Sequence, residues 1–442
     1  MLFSVAAHAS SDPLIGVLPP GDAGFGLSWR LERSPYRGSD RRYDFLPLVL
    51  YDSRYFYMHS YRGGLKVERD AWRTELFVQR RFEGFASDDV PTSMAGMERR
   101  RFGTDIGVGA SLRLGSGTGY AELLRDAGNA SEGSEFILGY RYERWWQGRL
   151  RLRPYARLSW RDEKLNNYYY GVRPEEATVE RPAYTAGAGF NTELGLQMVY
   201  RLTEQYQLLA GFALSRASSE IRGSPVVDAG TVPSAMIGLV WSFAPQPLPA
   251  GARKPRIVRF FHGASSDCDL LPIVTLQCTT THTQDPTSVW AIEVGEQLVE
   301  RLNGWPIDMA AFIGLLRHEE RGLQDDFWQV NAYLKGYFYG FPWRNKLRTR
   351  LGFGTAISYA ARAPFMEQRD QAIRGRDTSK LLLYGDPTLD FSLGDLLSVR
   401  ELRETYLGVG ASHRSGIFGS SRLFGNVAGG SNYIYGYIET KF

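Results

Sequence analysis

Residues 149–160 read RLRLRPYARLSW. Leu150, Leu152, Ala156, Leu158 and Trp160 fall on one parity, and Arg149, Arg151, Arg153, Tyr155, Arg157 and Ser159 on the other. Successive side chains of an extended chain point to opposite faces, so this period of two makes a strand with one apolar and one strongly cationic face. The pattern returns in Glu135–Trp145, where Phe136, Leu138, Tyr140 and Tyr142 oppose Gly139, Arg141 and Glu143. It returns again in Gln329–Phe341, with Val330, Ala332, Leu334, Gly336 and Phe338 against Asn331, Tyr333, Lys335, Tyr337 and Tyr339. Turn clusters such as Gly115-Ser116-Gly117 and Asp126-Ala127-Gly128-Asn129 separate these segments, so the chain reads as all-β.

Composition sharpens the class. In 442 residues, 43% are hydrophobic and 13% aromatic, and the net charge is only +4, which excludes a disordered chain. The longest apolar run, Met309–Leu316, is eight residues, far short of the roughly 20 of a spanning helix. That leaves a soluble sandwich, with its polar faces outside, or a transmembrane barrel, with its apolar faces in lipid and charges, Tyr and Gly in the lumen.

Three features select the antiparallel transmembrane β-barrel. The chain opens MLFSVAAHASS, whose Ala7-His8-Ala9 fits a small-x-small cleavage site, so residues 1–9 read as the remnant of a signal peptide. Aromatic residues are abundant at strand ends, where interfacial girdles lie. The last ten residues, YIYGYIETKF, place Ile434, Gly436, Ile438, Thr440 and Phe442 on one face and Tyr433, Tyr435, Tyr437, Glu439 and Lys441 on the other. A strand closing on Phe442 resembles the assembly signal of bacterial outer-membrane proteins, which implies the barrel assembly machinery as a partner and the bacterial outer membrane as the location.

A similar strand ends in mid-chain, where Ala235, Ile237, Leu239, Trp241 and Phe243 alternate with Met236, Gly238, Val240 and Ser242. The Pro-rich stretch 244–255, APQPLPAGARKP, follows and can neither pair in a sheet nor form a helix. The expectation is two consecutive barrels, 10–243 and 256–442, with 244–255 as linker. The second offers eight strands, near 257–263, 287–300, 306–318, 327–341, 347–361, 387–396, 403–413 and 432–442. The first offers ten to twelve, because residues 54–68 read either as one strand or as a hairpin. The competing architecture is a single barrel of about twenty strands.

The two cysteines, Cys268 and Cys278, lie in a Ser/Thr/Asp-containing loop and in an exported protein would form one disulfide. No metal site is expected: His262 and His282 lack zinc-ligand spacing, and His318-Glu319-Glu320-Arg321 lacks a zincin's second histidine. No cofactor is expected either. Gly352-x-Gly354 and Gly408-x-Gly410 lie inside strands, and the arginines alternate with apolar residues instead of forming a nucleic-acid-binding patch. Arg149, Arg151, Arg153 and Arg157 could select anions in a channel; the preferred expectation is pairing with lumen carboxylates such as Glu135 and Glu143.

The first part resembles the MipA/OmpV family over most of residues 20–243. The residues concerned are Asp44–Tyr51 (DFLPLVLY), Asp88-Asp89-Val90-Pro91 leading to Ala95–Arg99, Asn167–Val172 (NYYYGV), Pro182–Gly189 (PAYTAGAG) and Ser224-Pro225-Val226-Val227. The resemblance implies an outer-membrane barrel that scaffolds peptidoglycan-remodelling enzymes, or a surface protein, with no catalytic residue. Asp88, Asp89, Glu98 and Arg99 read as a solvated rim, and Tyr168–Tyr170 as an aromatic belt or packed loop in preference to a sugar-binding platform.

The tail more weakly resembles the PagL-type lipid A deacylases, eight-stranded barrels that cleave an acyl ester of lipopolysaccharide. Their His-x-Ser-Asn corresponds to His413-Arg414-Ser415-Gly416, so the resemblance makes His413 the base and Ser415 the nucleophile, on one face of a strand and toward the lipid. Their Gly-Glu-Asn corresponds to Gly430-Ser431-Asn432, so a serine, Ser431, replaces the orienting acid, while Gly416 puts an oxyanion donor in doubt. Losing such an acid costs about 10⁴ in turnover and an oxyanion donor a further 10² to 10³ or so. The expectation is a barrel that kept this fold and lost its chemistry, with a surviving lipid A ester hydrolase and a small-solute channel as alternatives.

Overall fold

In the computed structural model, residues 11–39, 41–85, 90–243, 254–281, 284–416, 423, 424, 427 and 429–442 are described. They fall in two compact units, Met1–Ala244 and Pro245–Phe442.

The first unit is an antiparallel sheet of thirteen strands. They are β1 (Ala23–Arg33), β2 (Arg41–Asp52), β3 (Phe56–His59), β4 (Arg62–Arg69), β5 (Trp72–Arg80), β6 (Thr104–Leu114), β7 (Gly117–Asp126), β8 (Ser134–Tyr142), β9 (Arg144–Trp146), β10 (Leu150–Arg161), β11 (Gly189–Arg201), β12 (Tyr206–Arg216) and β13 (Thr231–Ser242). Pairing of β1 with β13 and of β10 with β11 closes the ring. The three-residue β9 prolongs β8 along β10, so the ring itself counts twelve. The open question over residues 54–68 resolves as a hairpin, β3–β4, whose turn places Ser60 at φ 57°.

Alternation explains the wall. Outward residues such as Leu27, Leu76, Val108, Leu138, Leu158, Leu194 and Ile237 are exposed, while their inward neighbours are largely polar. Outward aromatics mark two levels, with Trp29, Tyr43, Phe136, Trp160 and Phe190 near one end and Trp72, Tyr142, Trp145, Trp146 and Tyr206 near the other. Such paired girdles flank the apolar band of a membrane barrel. Apart from the β3–β4 turn, turns of two to four residues lie at the end that carries Ala23 and Ser242, and the long connections 81–103, 162–188 and 217–230 lie at the opposite end. In outer-membrane barrels the short turns are periplasmic and the long loops extracellular.

Inside, ion pairs run between small apolar clusters. Arg62 reaches Glu75 at 2.5 Å and Glu122 at 3.2 Å, and Arg161 reaches Glu83 at 2.6 Å and Glu135 at 3.1 Å. Arg157 pairs with Glu193 at 2.9 Å, while Glu143 stands 3.6 Å from Arg153 and 4.0 Å from Arg151. Of the four arginines read as lumenal, Arg149 is different: it is exposed, in the turn before β10. Its even-odd parity holds only while the chain stays extended, and the turn at Gln147 and Gly148, both at positive φ, ends that.

The second unit is a closed barrel of eight strands: β14 (Arg256–Ser266), β15 (Ser288–Val299), β16 (Ile307–Glu319), β17 (Phe327–Phe338), β18 (Thr349–Ala360), β19 (Leu381–Ser392), β20 (Thr405–Ser415) and β21 (Asn432–Lys441). Seven lie close to the expected positions. β19 begins six residues before the expected 387 and carries Pro387 in its interior, at a point where no cross-strand pair with β20 forms. Its lumen is solid. Arg259 donates to Glu293 (2.6 Å), Asp386 (3.0 Å) and the Tyr333 hydroxyl (2.8 Å), and Lys335 also contacts Asp386. All five side chains are fully buried.

Candidate functional site

Four of the five motif segments of the first unit lie at its long-loop end, and the fifth, Asp44–Tyr51, runs along β2. Tyr36, Phe85, Met94, Met97, Leu165, Tyr169, Tyr170, Val172, Ala186, Ile221, Val226 and Val227 form one buried apolar cluster, a cap built from four connections. The helix Glu163–Tyr170 carries three of them; the Asp162 carboxylate caps it by accepting from the Leu165 N–H at 2.9 Å. Tyr36 stacks on Tyr170 at 5.6 Å and donates its hydroxyl to the Tyr169 carbonyl at 3.1 Å. Tyr169 and Tyr170 are thus a packed loop, as one of the two readings of the tyrosine run had it. Asp88 and Asp89 lie outside the described residues.

A buried ion pair locks this cap. Arg100 donates to both oxygens of Glu176, at 2.9 and 2.7 Å, and Glu176 also accepts from the N–H groups of Glu98 (2.9 Å) and Arg173 (3.1 Å). Burial pushes the Glu176 carboxyl up, but the Arg100 hydrogen bonds and the two backbone donors outweigh it and bring it down to about 2. Arg181 ties the same loops by donating to the carbonyls of Ser93, Ala95 and Glu176.

The lumen below is occupied by the segment that precedes β1, a feature that no pattern in the sequence signals. Ser11 donates from its N–H and hydroxyl to Glu122, and Asp12 lies 2.5 Å from His59. Arg141 and Arg151 donate to the carbonyls of Asp12 and Gly16. Leu14, Val17 and Leu18 pack on the inward Leu48, Leu50, Val199, Leu209 and Val240. Between this segment and the cap lies a cavity of about 380 Å³.

On the second barrel, His413 and Ser415 share the outward face at the loop end of β20. No hydrogen bond joins them directly among the described residues. Ser431 is buried and donates to Glu367 Oε1 at 2.7 Å, on the lumen side and away from His413. The residue beside the imidazole is Asn432, directly across the β20–β21 pair, with Oδ1 2.6 Å from His413 Nδ1. Its Nδ2 donates to the Cys268 carbonyl at 2.8 Å, which fixes the amide orientation and makes Nδ1 the protonated nitrogen. Parity could have found this residue, because Asn432 shares a face with Ile434 and Ile438. The Gly416 N–H already donates to the Gly429 carbonyl at 3.2 Å.

Cys268 and Cys278 are bonded, with their Cα atoms 5.8 Å apart. Their loop packs Cys268 and Ile273 against Ala411, with Ile434 alongside. Of the remaining histidines, His262 lies against Trp290, His318 meets Gln329 at 2.9 Å, and His8 and His282 lie outside the described residues. Glu439 is buried in the lumen, accepting from Tyr337 at 2.7 Å, too far round the strand to orient His413. Phe442 follows β21, exposed, exchanging backbone hydrogen bonds with Arg256.

Closed antiparallel rings with apolar, aromatic-girdled outer walls and charged lumens define a bacterial outer-membrane β-barrel protein. Residues 25–243, nearly all of the first barrel, match the model of the family described as MltA-interacting protein MipA. Outer membrane protein OmpV of Vibrio cholerae is 35% identical over 146 residues, which is 33% of this chain and 56% of that protein. The putative outer membrane protein YiaT of Escherichia coli is 24% identical over 236 residues, 52% of this chain and 95% of YiaT. The MltA-interacting protein of the same species is 24% identical over 237 residues, 50% of this chain and 91% of its own length. The chain therefore spans little more than half of OmpV. Among solved structures, the copper transporter OprC aligns over 96% of this chain and 81% of its own at 11% identity and a TM-score of 0.23, which carries no argument.

Proposed function

We propose that this protein is a scaffold at the cell envelope that binds a peptidoglycan-remodelling enzyme through the surface of its MipA-type barrel. The observation that carries the reading is the filled interior. One lumen holds the 11–18 segment and a cavity beneath a packed cap, and the other is crossed by paired charges. A barrel whose lumen is crossed by a chain segment and by paired charges is suited to presenting surface, and this favours the scaffold over the channel alternative. A relative matched over 91% of its length is named for interaction with MltA, and the same role is assigned here to this chain. Photo-crosslinking in intact cells, with the probe placed in turn in each first-barrel turn and loop, tests this. The scaffold reading expects an adduct with a lytic transglycosylase from at least one periplasmic turn, and adducts with lipid alone contradict it.

The His413–Asn432 contact favours a second reading, hydrolysis of a lipid A acyl ester. An asparagine amide can orient a catalytic imidazole, as in Cys-His-Asn sites. Ser415 Oγ would attack the acyl carbonyl while His413 Nε2 takes its proton and returns it to the departing sugar hydroxyl. Water, activated by the same imidazole, would then release the fatty acid. The lipid A of cells overproducing the protein distinguishes the two by mass. The scaffold reading expects no change, and loss of one acyl chain that Ser415→Ala abolishes establishes the hydrolase.

A further inference from the structure

The cavity between the 11–18 segment and the cap is lined by six buried or half-buried arginines from strands and strand ends, and they divide into two kinds. Arg30, Arg81, Arg157 and Arg161 each pair with a carboxylate: Glu32, Glu135, Glu193 and Glu83 respectively. Arg42 and Arg80 have none within 4 Å among the described residues. Arg42 donates to the Gly84 carbonyl at 2.9 Å and lies 5.2 Å over the Tyr36 ring. Arg80 donates only to the carbonyls of Phe102 and Gly103 and to the Thr104 hydroxyl, at 3.2–3.4 Å, and its Nε has no hydrogen-bond partner. Both side chains belong to residues only 7% exposed.

A buried guanidinium answered by neutral dipoles alone is costly, and an anion relieves that cost. The cavity's own carboxylates are already engaged, Asp12 by His59 included. Its walls add Tyr61, Phe82, Tyr155 and Tyr170, flat apolar surface beside a cationic end. A volume near 380 Å³ lies within the range of small-molecule sites.

We infer that this chamber is a binding site for a small carboxylate with an aromatic or apolar body, its carboxylate held by Arg42 and Arg80 and its body by the aromatic wall. Guanidinium matches carboxylate with two parallel hydrogen bonds, and ring faces take the apolar part. The site is separate from the scaffold reading and stands or falls without it.

The test uses the full chain in detergent micelles, with benzoate as the probe and benzylamine as a cationic control of the same size. Saturating benzoate is expected to raise the unfolding temperature by about 3–6 °C, benzylamine to leave it unchanged, and Arg80→Gln to remove the benzoate shift. Gly211→Phe gives a second variant that leaves both arginines in place. Gly211 lines the cavity, the nearest heavy atoms to an added Cβ are 3.9 Å away, and the phenyl group would fill the space. The Gly211→Phe protein is expected to fold and to lose the shift. No shift with benzoate, an equal shift with benzylamine, or a benzoate shift that survives in folded Gly211→Phe overturns the proposal.

Discussion

Arg100 and Glu176 meet in the cap of the first barrel through two parallel hydrogen bonds, 76 residues apart in sequence and both buried. The pair joins the connection after β5 to the connection after β10. Removing one member leaves the other buried with backbone partners only, which costs about 3–5 kcal/mol in comparable settings. Arg100→Leu should therefore loosen the cap while leaving the barrel closed, seen as new protease cuts within residues 81–103 and 162–188 and an unchanged β signal by circular dichroism.

The same pair makes the cap acid-sensitive. The folded Glu176 carboxyl sits near 2, below its ordinary value of 4.5. A depressed acid contributes stability that is fully present above the unfolded value and lost as pH falls toward the folded one. Protection of the cap loops should thus hold at pH 6 and decline between about 4.5 and 2. Glu176→Gln should start with weaker protection and show a flatter profile across that window, measured by limited proteolysis with an acid-active protease.

Arg259 is the hub of the second lumen. Replacing it with methionine leaves Glu293 and Asp386 with Lys335 as their remaining buried cation, and a loss of about 3–5 kcal/mol is expected. Urea unfolding followed by heat-modifiable gel migration reads this directly. A loss below about 1 kcal/mol would mean that the charges are hydrated and not paired.

The Cys268–Cys278 bond closes a short loop, separation 10, over the outer face of β20 and β21. Chain-entropy arguments put such a loop at about 2–3 kcal/mol. Changing both cysteines to serine should lower stability by that amount and expose residues 267–281 to proteolysis. Because the Cys268 carbonyl holds the Asn432 amide, the double variant should also broaden the His413 ring resonances.

Much of this fold was legible because a strand writes its two environments into alternate residues. Leu158 and Arg157 reveal lipid and lumen without any knowledge of their partners. The β3–β4 hairpin was ambiguous because its left-handed position is Ser60, where a glycine or asparagine would have marked the turn. The start of β19 is hard to read because Pro387 signals a strand start, whereas here it sits inside the strand at a position with no partner on β20. The filling of the lumen by residues 11–18 was illegible, since it depends on contacts such as Ser11 with Glu122 that no local pattern encodes. At the outer face of β20, His413 and Ser415 were placed correctly by parity. The neighbour of the His413 imidazole is harder to read, because the resemblance points to Ser431, whose side chain faces the lumen, and not to the adjacent Asn432.

The occupied lumens bear on conduction. Planar bilayers containing the full chain should show no discrete conductance steps in 1 M KCl, and steady openings would contradict the packing of the 11–18 segment and the cap.

The scaffold claim is tested most directly by equilibrium binding between the full chain in lipid nanodiscs and a purified MltA-type lytic transglycosylase, with nanodiscs carrying an unrelated eight-stranded barrel as reference. Saturable binding that the reference lacks is the predicted result. Binding no stronger than to the reference nanodiscs would contradict the account.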